Sequence, residues 1–83
     1  MKGILLTSKS LTFAQKMKII LNSAGIIANI VRPDIEITQS SCAYAVLIQE
    51  TFFPEAIEKL SKKGIAPVRA FLISEDRYEE IRL

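Results

Sequence analysis

Twice along this chain a short apolar run passes through a polar break into a helical pattern, stops at a glycine and returns to another apolar run. That alternation restricts the folds open to 83 residues more than any single motif does. Gly3 to Thr7 reads as a buried strand, and Thr7-Ser8-Lys9-Ser10 as the loop that follows it. From Thr12 the apolar residues Phe13, Met17, Ile20, Leu21 and Ala24 fall at helical spacing, with Gln15, Lys16, Lys18 and Asn22 on the other face. Thr12 with Gln15 fits a capping box, Ser10 competes as N-cap, and Gly25 stands where a left-handed residue ends a helix. Ile26 to Val31 forms a second strand, closed by Arg32-Pro33-Asp34 because proline supplies no ladder donor.

The second half repeats the plan. Residues 33–41 are too polar for a core strand and too long for a tight hairpin turn, and they form a candidate functional loop. Ala43 to Gln49 suits a central strand, and Phe53-Pro54-Glu55 opens a second helix with proline at its start. That helix turns Ala56, Ile57 and Leu60 inward, places Glu55 with Lys59 and Glu58 with Lys62 at i,i+4, and ends at Gly64. Val68 to Ile73 is the fourth strand. Pro67 and Arg69 mark it as an edge, as Asn29 marks strand two.

Two successive β-α-β units joined by right-handed crossovers give an α/β chain of the α+β kind, in the order β-α-β-β-α-β. Its four-stranded antiparallel sheet runs 4-1-3-2, with both helices on one face. Ser74 is positioned to cap a short C-terminal helix through Glu75, Asp76, Tyr78 and Ile81, lying against the open sheet face or a neighbouring subunit. Residues 1–83 are read as one domain. A chain of this size buries only about 60% of the surface its unfolded state exposes, which leaves homodimerisation open.

Several function classes are excluded by what the chain lacks. Eleven basic against nine acidic residues leave a net charge of +2, too weak a field to argue for nucleic acid or an anionic membrane. Single-stranded RNA binding on such a sheet needs aromatic residues on both central strands, and only Tyr44 is there. No apolar run approaches the roughly 20 residues that span a bilayer, and the chain is read as cytoplasmic. Histidine is absent, which removes a Cys-His hydrolase and a His-based zinc site within one chain. Gly3, Gly25 and Gly64 are isolated, so no phosphate-binding loop exists, and no cofactor or metal is expected. Glu75-Asp76 and Glu79-Glu80 have no partners of ligand type and read as terminal charge.

What remains is one thiol. Cys42 lies where the polar loop becomes strand three. In the expected topology that point sits beside the end of strand one and the amino end of helix one. Lys9 and Arg32 come from segments ending on the same side, and helix end and cations alike favour a thiolate over the ordinary thiol with its pKa of roughly 8.5. The hydroxyls of Ser40 and Ser41, with loop N–H groups, are placed to hydrogen-bond an anionic sulfur. The alternative is that Cys42 is an inert, small buried hydrophobe at the start of a strand. The chain would then be a non-catalytic protein-interaction or small-ligand-binding module, homodimeric through its open sheet face.

The stretch Pro33-Asp34-Ile35-Glu36-Ile37-Thr38-Gln39-Ser40-Ser41-Cys42-Ala43, after a helix ending Leu21-Asn22-Ser23-Ala24-Gly25, resembles the selenium/sulfur carrier protein-like family. Its members have a first strand ending in Ser or Thr, a helix with Ala, Leu and Gly at matching places, and a Pro-rich loop leading to Ser-Cys-Gly. The likeness runs from about Ile4 to Ile73. It implies a ferredoxin-like or closely related fold that turns over no substrate alone. On that likeness Cys42 holds sulfur or selenium as a persulfide or selenide-type adduct, taken from a donor protein and delivered to an acceptor. Lys9 and Arg32 would supply charge, and Ser40 and Ser41 hydrogen bonds. Three positions depart from the pattern: Ala43 replaces the usual glycine, Ile35 a second proline, and Glu36 an arginine, and an acidic residue there works against a thiolate.

Overall fold

A strand whose every side chain is apolar can be buried on both faces, and Ile4, Leu5 and Leu6 are all buried. The computed structural model describes residues 2–32, 44–75 and 77–82. In chain order these form β1 (Lys2–Ser8), α1 (Leu11–Ser23), β2 (Asn29–Val31), β3 (Tyr44–Gln49), a single 3-10 turn (Glu50–Phe52), α2 (Phe53–Lys62), β4 (Ala70–Ser74) and β5 (Arg77–Ile81). The strands make one five-stranded sheet in the order β2-β3-β1-β4-β5, antiparallel at every described pairing. The chain is thus an α+β protein, and β1 and β3 are interior strands, as their apolar composition requires.

Alternation along β1 sends its side chains into two layers. Ile4 and Leu6 join Val46, Ile48, Ala70 and the inward residues of both helices, Ala14, Met17, Leu21, Ala56 and Leu60. Tyr44, Val46 and Ile48 therefore point to the helix-covered side, an assignment that alternation in the sequence leaves open. Leu5 points the other way, to a smaller cluster with Ala45 and Phe71, against which Val31, Leu47 and Ile73 pack. The centre of that second face is buried, and its partly exposed rim is what it offers to solvent.

Ser10, not Thr12, caps α1, accepting a hydrogen bond from the Phe13 N–H at 3.2 Å. Both helices close in the same way. Gly25 N–H donates to Asn22 O and Ile26 N–H to Leu21 O; Gly64 N–H donates to Ser61 O and Ile65 N–H to Leu60 O. The reversal needs a left-handed residue, and φ is 83° at Gly25 and 71° at Gly64. An added Cβ would meet no atom within 4 Å at either site, so only backbone strain opposes it. Gly25→Ala and Gly64→Ala are each expected to lower unfolding free energy by about 1 kcal/mol in urea titrations.

Strand two is shorter than Ile26 to Val31. Ile26 is used to close α1, and the Ala28 N–H donates to the Asn22 side-chain oxygen at 3.2 Å, so these residues link rather than pair. The C-terminal segment departs furthest from expectation. Arg77 to Ile81 is a strand, not a short helix, and it makes β4 an interior strand and the sheet five-stranded. Two residues join Ser74 to its partner Arg77, and Glu75 takes φ 47° to turn the chain back. A five-residue segment is too short to hold a helix unaided. Pairing instead satisfies the exposed edge of β4. The Arg69 guanidinium reaches across to the Glu80 carboxylate and lies 5.1 Å from the centre of the Phe71 ring. Hydrogen bonding from Arg69 holds the Glu80 carboxyl below its ordinary pKa.

Candidate functional site

One end of the sheet gathers the end of β1, the start of β3, the end of β2 and the first turn of α1. Register brings them together: Ser8 pairs with Tyr44, and Val31 with Ala45. Ser8 is fully buried, and its Oγ lies 2.9 Å from the carbonyl of Tyr44 and 3.0 Å from that of Ser10. One hydroxyl proton is shared between the first residue of β3 and the N-cap of α1. The start of β3 is thereby fastened to the helix end that carries partial positive charge.

Of the two cations expected here, Arg32 follows directly on β2 and stacks over the Tyr44 ring, its guanidinium carbon 5.6 Å from the ring centre. Lys9 is exposed in the two-residue connection between β1 and α1, between Ser8 and the N-cap Ser10. Both flank the Ser8–Tyr44 pair, Arg32 through Tyr44 and Lys9 through its neighbour Ser8. Cys42, Ser40 and Ser41 lie outside the described residues, as do Glu36 and Ala43. The chain reaches Tyr44 through Cys42-Ala43.

Ser8 and Tyr44 are the residues that sequence reasoning passes over. A small hydroxyl ending an apolar strand was the available signal, because a buried serine must find a partner. Ser8→Ala is expected to cost about 1 kcal/mol in thermal or chemical unfolding, since two inward-facing carbonyls lose their shared donor.

The opposite end of the sheet holds a shallow cavity of about 290 Å³ among Ile27, Leu47 and Ile73, with the carboxamides of Asn29 and Gln49 in its lining. None of its lining side chains is nucleophilic or titratable. Among the described residues no helix is long and apolar enough to cross a membrane. No family model, curated protein or solved structure matches the chain.

Proposed function

We propose that the protein carries sulfur or selenium on Cys42, receiving it from a donor protein and passing it to an acceptor, without turning over a substrate alone. The observation that carries this reading is the Ser8–Tyr44 junction, which fixes the strand that Cys42 leads into against the amino end of α1. Arg32, stacked on Tyr44, adds a positive charge at the same junction, and Lys9 follows Ser8. A helix amino terminus and nearby cations both stabilise a thiolate, the form of cysteine that attacks sulfur. The resemblance of residues 33–43 to the selenium/sulfur carrier protein-like family supplies the cargo, and with it a ferredoxin-like core formed by the first four strands and the two helices.

The transfer is an exchange on sulfur. The Cys42 thiolate attacks the terminal sulfur of a donor persulfide, a new S–S bond forms at Cys42, the donor's own S–S bond breaks, and the donor leaves as thiolate. Selenium follows the same path from a selenopersulfide such as that of glutathione, with an S–Se bond made and another broken. No net oxidation occurs in either case.

The test is alkylation of the thiol as a function of pH, followed by mass spectrometry after incubation with a cysteine desulfurase and cysteine, or with selenite and glutathione. Expected are a thiol that titrates below the ordinary cysteine range and a mass gain of one sulfur or selenium atom, lost in Cys42→Ser. A thiol of ordinary pKa that acquires no adduct refutes the reading.

A further inference from the structure

The outer edge of β5 is the second feature of the molecule with unspent chemistry. Among the described strands β5 is the outermost on its side of the sheet, and the side chains of Arg77, Tyr78, Glu79 and Glu80 are all exposed. A two-residue connection makes the flanking pair Ser74 and Arg77 a hydrogen-bonded one. Alternation then follows along the ladder. Arg77, Glu79 and Ile81 spend their backbone groups on β4, while those of Tyr78 and Glu80 face outward. The edge therefore offers donors and acceptors to another strand.

We propose that this edge pairs with the same edge of a second copy, β5 against β5 about a two-fold axis through Tyr78, giving a continuous ten-stranded sheet. Charge selects both partner and register. Arg77 and Glu79 lie on one face of β5, on either side of Tyr78, and neither makes an ion pair among the described residues. With Tyr78 opposite Tyr78 of the partner subunit, each Arg77 stands opposite a Glu79, twice over by symmetry. Centring the axis on Glu79 or on Glu80 instead sets Arg77 opposite no acidic residue, so both of these ion pairs are lost. The Tyr78-centred register also uses outward-facing backbone groups, so it adds hydrogen bonds at Tyr78 without disturbing the ladder to β4. The association is independent of Cys42 and of the carrier reading.

Sedimentation equilibrium in reducing buffer, over a wide range of protein concentration, tests it. A concentration-dependent dimer is expected for the wild type. Arg77→Glu and Glu79→Arg, each altering two contacts by symmetry, should each weaken the dimer about tenfold or more. The double variant Arg77→Glu with Glu79→Arg should restore association, because the swap keeps the charges complementary. Tyr78→Pro removes an outward N–H that β4 does not use, so it should abolish the dimer while leaving circular dichroism and melting close to wild type. A wild type that stays monomeric, an undiminished dimer affinity in Arg77→Glu, a dimer that persists in Tyr78→Pro, or a double variant that fails to re-associate overturns the proposal.

Discussion

Leu6→Ala is expected to lower the unfolding free energy by about 2–5 kcal/mol, the largest loss from any one substitution considered for this chain. Leu6 is completely buried in the central strand, between Val46 of β3 and Ala70 of β4, on the side covered by both helices. Truncation removes apolar burial and leaves a void that strands on either side hold open, so the site cannot collapse to recover contacts. A chain of this length typically has about 4–12 kcal/mol of stability in all, so the substitution removes a large part of it. Guanidinium or urea titration reads the effect as a lower midpoint at an unchanged slope. Leu6→Met, close in volume, should cost less than about 1.5 kcal/mol. A Leu6→Ala loss below that value would show that the sheet and helices do not clamp this position.

Thr7→Val ranks second, at about 1–3 kcal/mol. Thr7 Oγ1 accepts a hydrogen bond from the Arg69 N–H at 2.8 Å and donates to the Arg69 carbonyl at 3.2 Å, while Thr7 N–H also donates to that carbonyl. The Val68 N–H reaches the Thr7 carbonyl at 2.9 Å. Ahead of β4 the chain thus presents two consecutive N–H groups to one residue. The backbone carbonyl takes one and the side chain takes the other. Valine has threonine's shape and strand preference, so the substitution isolates the hydroxyl and leaves the Arg69 N–H without its acceptor. Thr7→Ser keeps the hydroxyl and loses only a methyl group, and it should retain most of the stability. Thermal melting of the pair separates polar loss from packing loss.

These two neighbours show how far the sequence could be read. Unbroken apolarity in Gly3 to Leu6 and in Ala45 to Ile48 identifies the interior strands, because only a strand buried on both faces dispenses with alternation. Glycine at 25 and 64 marks both helix ends, because the left-handed turn excludes other side chains at little other cost. The C-terminal segment was not legible in the same way. Tyr78 and Ile81, three apart, suit a helix, and Tyr78 to Ile81 also suits a strand; the choice is made by the unpaired edge of β4, which belongs to no local window. Pro67 and Arg69 marked β4 as an edge for reasons that act only before Ala70, where Thr7 takes over the pairing. At the candidate site Arg32 and Lys9 flank the expected end of the sheet. The hydroxyl that ties it together, Ser8, shows its importance only once the 36 residues to Tyr44 have been folded back on themselves.

The placement of β1 also bears on the order of events during synthesis. The middle strand of the sheet is made before either of its neighbours, and its side-chain hydrogen bonds reach 36 residues ahead to Tyr44 and 62 residues ahead to Arg69. Neither strand that pairs with it exists meanwhile. Ile4 to Leu6 must leave the ribosome as an unpaired, uncharged apolar strand and wait for β3 and then β4. Such distant pairings delay closure, putting folding toward the millisecond-to-second range rather than microseconds. The nascent chain's main aggregation hazard is therefore the segment that becomes its core.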